Sequence, residues 1–172
     1  MWTIRSKIEI GITEGCSAMD LCVKLAPTED KQNLRDLLTR YLLELSRYGD
    51  VDTAYPYFGS YWDNNEPRWP YLARHGSENV GFALVNTWSP SSKGTDFAMA
   101  EFYIAPHARK SGVGCEVAKR VLTQHPGIWE LSITSLNDPA KRFWPKAIKA
   151  SQATGIEQIE TEDEIIYRFA IR

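Results

Sequence analysis

The residues of this chain best suited to chemistry are Arg109-Lys110-Ser111-Gly112-Val113-Gly114. Two glycines let the backbone come close to a ligand. A helical pattern starts directly behind them. Val113, Val117, Val121 and Leu122 recur on one side, Glu116, Lys119, Arg120 and Gln124 on the other, and His125-Pro126-Gly127 ends the run. The first turn of a helix carries N–H groups without intrahelical acceptors and a partial positive charge, so a Gly-rich turn that leads into one suits a phosphate. Ahead of the turn, Phe97 to Ile104 is apolar and β-rich, and Ala105-Pro106 closes it. The unit reads as strand, Gly-rich turn, helix. A P-loop would need Gly-Lys followed by Ser or Thr, which the chain lacks. The dinucleotide fingerprint would need a third glycine and an early βαβ position.

A second group of residues is aromatic and acidic. Tyr55, Tyr57, Phe58, Tyr61, Trp62, Trp69 and Tyr71 are interleaved with Asp52, Asp63 and Glu66. Ring faces beside carboxylates hold cationic amines through cation–π and charge contacts. The same rings would equally cover a core edge under a loop, or make a dimer contact. Cys16, Cys22 and Cys115 stand at unrelated spacings that suggest neither a disulfide framework nor a metal knuckle, and the three histidines are scattered. No metal is expected, and a reducing, cytoplasmic location is. A formal charge of −2 gives no reason to expect a nucleic-acid partner, and no stretch has the length and apolarity of a membrane span.

These residues need a frame to hold them. At 172 residues the chain is long enough for one domain with a sizeable core. Residues 1–18 read either as an extra edge strand or as a leader, with residues 19–172 as the domain proper. Leu21 to Leu25 reads as a strand stopped by Pro27. Thr28 is a candidate N-cap for a helix whose apolar face is Leu34, Leu37, Leu38, Tyr41, Leu42 and Leu45. Beyond the aromatic segment come strands at Pro70–Arg74, Val80–Asn86 and Phe97–Ile104, with Gly81 marking a bulge or a close approach. After the Gly-rich turn and its helix, Ile128–Thr134 is a strand. Asn137 or Asp138 then caps a helix with Pro139 tolerated early, and Ile156–Ile159 and Ile165–Ile171 form a closing hairpin.

The compound pattern Glu101-Phe102-Tyr103-Ile104-Ala105-Pro106, then Arg109-x-x-Gly112-x-Gly114 and a helix, resembles the coenzyme A loop of the Gcn5-related N-acetyltransferases, the GNAT superfamily. The element order resembles that family's too, over roughly Asp20 to Arg172. Asn137, Ala140, Phe143 and Lys146 match the family's later motif, but Trp144 stands where it often has tyrosine. The resemblance implies an α/β (α+β) fold whose mixed, mostly antiparallel sheet is splayed between its fourth and fifth strands, with helices on both faces. It implies acetyl-CoA as cosubstrate. The pyrophosphate would lie on the backbone of Arg109, Lys110, Ser111, Gly112, Val113 and Gly114, and the pantetheine arm along Phe102, Tyr103 and Ile104. Asn137 would reach that arm from the far side.

The reaction implied is direct attack of an amine on the thioester, where positioning alone is worth about 7–11 kcal/mol in favourable cases. Glu101 is the candidate base, though a Glu held by a structural partner would read the same. With Trp144 in place of tyrosine, the acid is water, another tyrosine from the 55–71 segment, or absent. Cys115 reads as packing behind the loop. Tyr61, Trp62 and Asp63 are the expected acceptor wall. Two functions fit: an N-acetyltransferase acting on a primary amine of a small molecule or peptide, or a degenerate relative that binds acyl-CoA without turnover. A homodimer is compatible with either.

Overall fold

The computed structural model describes residues 21–172, so the strand or leader expected over residues 1–18 lies outside it. Among these residues seven strands form one sheet: β1 (Leu21–Leu25), β2 (Trp69–His75), β3 (Glu78–Asn86), β4 (Phe97–Ile104), β5 (Gly127–Thr134), β6 (Thr154–Glu160) and β7 (Glu164–Ile171). Their spatial order is β1-β2-β3-β4-β5-β7-β6. All neighbours are antiparallel except β4 and β5. Cys22, on β1, is disulfide-bonded, which the cysteine spacing did not suggest. Among the described residues no helix is long and apolar enough to cross a membrane.

Among the described residues three α-helices cover the sheet. Helix α1 (Lys31–Leu45) buries Leu34, Leu37, Leu38 and Leu42 against Leu72, Phe82, Leu84 and Tyr103 on one face. Thr28 is not its N-cap: Thr28–Asp30 forms a 3-10 turn, and Asp30 precedes the helix without a side-chain capping bond. On the other face, α2 (Val113–Thr123) and α3 (Asp138–Ala150) pack Val121, Leu122, Trp144 and Ile148 onto Val85, Met99, Trp129, Leu131 and Phe169. β3 feeds both cores, Phe82 and Leu84 to one and Ala83 and Val85 to the other, so its sequence reads as a continuous apolar run. Gly81 marks both features expected of it. The register between β2 and β3 slips beside it, where Ala73 faces Gly81 and Arg74 faces Asn79 with Val80 as the extra residue, and a Cβ on Gly81 would lie 2.4 Å from the Tyr103 carbonyl oxygen.

Two irregularities of β4 matter for function. Its parallel pairing with β5 is confined to Phe97↔Trp129, Ala98↔Glu130 and Met99↔Leu131, and both strands then run on unpaired with each other. The register with β3 also slips: Leu84 faces Glu101 and the adjacent Val85 faces Met99, which leaves Ala100 as an extra residue. A bulge of this kind resets which side of the sheet the following side chains face. Met99 belongs to the α2/α3 core, whereas Tyr103 belongs to the α1 core.

Candidate active site

The first cavity, about 440 Å³, opens where β4 and β5 part. Phe102, Tyr103 and Ile104 of β4, Arg109, Lys110, Gly112 and Gly114 of the turn, and Asn137 of the β5–α3 connection all stand in its wall. Ser111 and Val113 belong to the same turn, although their side chains are not in that wall. Among the described residues, the backbone N–H groups of residues 110–115 make no hydrogen bond; the first main-chain bond into α2 runs from the Glu116 N–H to the Gly112 carbonyl at 3.1 Å. No side chain caps α2 either. A run of unpartnered amides at a helix start is a donor set suited to a pyrophosphate, and the unpaired inner edges of β4 and β5 suit an extended amide chain.

The two glycines meet different needs. Gly112 has φ +83, a left-handed conformation that costs a side-chain-bearing residue energy, while a Cβ there would meet open space. A Cβ on Gly114 would lie 3.1 Å from the Phe143 ring. Asn137 caps α3, its Oδ1 accepting the Ala140 N–H at 3.1 Å, which leaves the amide NH₂ to serve the cavity. Trp144 is buried, edge-on to Phe102 with ring centres 5.1 Å apart, and supplies apolar wall. Arg109 is more committed than its sequence position suggested. Its guanidinium makes a two-pronged contact with Glu44 of α1 at 2.7 and 2.9 Å, and its Nε donates to the Ile104 carbonyl at 2.7 Å. The pair ties α1 to the turn, and the hydrogen bond from Arg109, followed by its charge, holds the Glu44 carboxyl below its usual range. The turn's unengaged cation is thus Lys110.

A second cavity, about 290 Å³, adjoins the first: Leu45 and Tyr48 belong to both walls. It is lined further by Asp50, Val51, Asp52, Tyr55, Glu101 and Thr134. Because of the bulge in β4, Glu101 turns toward α1, where its carboxylate accepts hydrogen bonds from the Tyr41 and Tyr55 hydroxyls. Burial raises the Glu101 carboxyl to about 7, and the two tyrosine bonds only partly offset it. Burial beside that carboxylate pushes both tyrosines upward. Tyr55 in turn bonds Tyr61, which accepts from the Asn86 amide at 3.4 Å. Tyr55 is itself left-handed, at φ 44, at the entrance to a 3-10 turn over Pro56–Trp62. A side chain held in that conformation needs surrounding structure to fix it.

The aromatic segment does not bring the expected acceptor residues into either cavity wall. Tyr61 is a core residue, 3% exposed, and supports Tyr55 from behind. The Trp62 indole is pinned by its N–H to the Ala26 carbonyl at 2.9 Å and packs on Phe58. Asp63 is spent on a turn, accepting the Asn65 N–H at 3.0 Å. Tyr55 belongs to the aromatic and acidic group that the sequence offers for the acceptor, but Tyr41, Tyr48 and Thr134, around Glu101 and the cavity junction, carry no such mark. Tyr41 reads as apolar helix face and Thr134 as part of a strand, and periodicity gives no reason to separate them from their neighbours.

A splayed sheet with an amide cradle on one side and a buried carboxylate on the other defines a class of acyl-transfer folds. Residues 32–148 match the family model described as the acetyltransferase (GNAT) family, and the chain belongs to that family. No curated protein matches it in sequence. Among solved structures, it is similar to an acetyltransferase from Thermus thermophilus, with a TM-score of 0.65 at 16% identity over 90% of this chain and 99% of that one. An acetyltransferase of the GNAT family from Staphylococcus aureus aligns at 0.65 and 13% identity, over 89% and 100%. The structure of yncA from Salmonella typhimurium, which holds its cofactor acetyl-CoA, aligns at 0.60 and 13%, over 88% and 94%. At these identities the likeness is one of fold.

Proposed function

We propose that the chain is an acetyl-CoA-dependent N-acetyltransferase acting on a primary amine, with residues 19–172 as its single catalytic domain. The observation that carries the reading is the adjacency of the two cavities: a pyrophosphate-suited amide cradle and a pocket whose wall contains Glu101 share Leu45 and Tyr48 as wall residues. Acetyl-CoA supplies a thioester whose acetyl carbon a neutral amine attacks, with the C–S bond breaking and coenzyme A leaving as thiol. The amides of Lys110 to Cys115 and the Lys110 ammonium hold the pyrophosphate, and the open edge of Phe102–Ile104 with the Asn137 amide aligns the arm. Glu101 accepts the proton that the amine must lose. Tyr48, in both walls, has the hydroxyl suited to returning a proton to sulfur in place of the tyrosine that Trp144 replaces.

Thiol release from acetyl-CoA in the presence of simple primary amines tests turnover. A coenzyme A thermal shift run beside it tests binding, since a ligand at a hundredfold its Kd stabilises the native state by about 2.7 kcal/mol. Both signals are expected. A thermal shift without thiol release on any amine would favour the non-catalytic, acyl-CoA-binding relative, and the absence of both would overturn the assignment.

A further inference from the structure

The wall of the second cavity contains three carboxylates, Asp50, Asp52 and Glu101, and no lysine, arginine or histidine. They are not equivalent. Glu101 lies deep, clasped by Tyr41 and Tyr55, whereas Asp50 and Asp52 are exposed at the rim beside Gly49. Asp52 spends one oxygen on the Ala54 N–H at 3.0 Å and keeps the other. Asp50 has no hydrogen bond or ion pair among the described residues. Thr134, across the splay in the same wall, has a buried hydroxyl oxygen with no hydrogen-bond partner. An orphaned buried hydroxyl costs stability unless something outside the protein pairs with it.

We propose that this cavity takes a small diamine: one nitrogen sits between Glu101 and the Thr134 hydroxyl and is acetylated, while the other, still an ammonium, is held at the rim by Asp50 and Asp52. This rests on the acetyltransferase reading above. The charge pattern selects by exclusion as well as attraction. A free amino acid would bring its carboxylate against Asp50 and Asp52 with no cation in the wall to receive it. A simple alkylamine would fill the inner part but leave the rim carboxylates unanswered. The apolar side chains of Leu42, Leu45 and Val51 in the same wall suit the methylene linker. Only one nitrogen loses a proton, to Glu101; the second keeps its charge throughout.

The experiment compares diaminobutane, butylamine and alanine as acceptors. The diamine's kcat/KM should exceed butylamine's by about tenfold, the scale that two partly screened ion pairs supply, and alanine should be the poorest of the three. In the Asp50→Asn/Asp52→Asn double variant the diamine-to-butylamine ratio should collapse toward one, and in the wild type it should shrink as salt rises. Calorimetric titration of diaminobutane into coenzyme A-saturated protein reads the same site without turnover. Aspartate-dependent binding with no acetylation of any amine would keep the diamine site and sink the transferase reading. Turnover of butylamine with a ratio near one, or a ratio unchanged in the double variant, would overturn the diamine site and leave the transferase reading standing. Neither binding nor turnover would overturn both.

Discussion

Glu101 is where the chemistry is most exposed to test. A base must be ionised to accept a proton, and burial holds this carboxyl near 7 rather than 4.5. Activity should therefore rise with pH through that region, and replacing Glu101 by Gln should remove this limb and lower kcat/KM by about 10²–10⁴-fold. The KM for acetyl-CoA should hardly move, because the cofactor is expected to lie on backbone groups. Stability carries the opposite sign. Between pH 4.5 and about 7 the folded protein holds a proton at Glu101 that the unfolded chain has lost, so this group's contribution falls as pH rises across that window. In Glu101→Gln the denaturation midpoint should lose that part of its slope. Tyr55→Phe should move the kinetic limb to higher pH, since it removes a hydrogen bond that favours the ionised form. A Glu101→Gln enzyme at full rate at every pH would show that the base lies elsewhere.

Among the elements, the Gly-rich turn and α2 make the sharpest case. The sequence marks Gly112 and Gly114 alike, but the turn uses one for its backbone angle and the other for contact with Phe143. Gly112→Ala should cost about 1–2 kcal/mol by denaturant titration, the penalty for a side chain in the left-handed region. The coenzyme A thermal shift should survive in part, since a Cβ there points into open space. A larger residue at position 114 should instead displace the Phe143 ring and disturb the cavity wall. If Gly112→Ala costs nothing, the turn is not held at the angle described.

For the whole molecule, the difficulty is a sheet that must stay joined although β4 and β5 pair over only three residue positions. The β3–β4 connection supplies the missing tie. Glu130 of β5 is fully buried and accepts hydrogen bonds from the Ser89 hydroxyl at 2.9 Å, the Ser91 N–H at 3.1 Å and the Ser91 hydroxyl at 2.7 Å, and it is ion-paired with Arg168 of β7. Asp96 adds a bond from the Ile128 N–H at 2.8 Å. Glu130→Ala would strip two hydroxyls of their acceptor and leave the Arg168 charge with only the Gly94 carbonyl. It should destabilise the fold by about 3–5 kcal/mol, the usual cost of removing one partner of a buried pair. A loss below about 1 kcal/mol, as at an exposed ion pair, would show that this tie is not what holds the two halves together.

The chain's own text was enough to establish the order of elements, the α1 leucine face, the Gly-rich turn and a helix cap at Asn137 or Asp138, because these depend on local periodicity and short-range spacing. Glu101 could be named from its place in the pattern, but not aimed. Its direction is set by the extra residue at Ala100, and that bulge is a property of the pairing between β3 and β4. Tyr41, Tyr55 and Thr134 come to it from α1, from a left-handed turn and from across the splay. Arg109 reads as a phosphate ligand until α1 brings Glu44 against it. Tyr61, Trp62 and Asp63 read as an acceptor wall because a sequence shows residue types without their partners. Only packing decided that Asn86 and Ala26 would engage Tyr61 and Trp62, while Asp63 is taken by a local turn with Asn65. Contacts between residues far apart in the chain form where the sheet and helices meet, and no local pattern encodes that meeting.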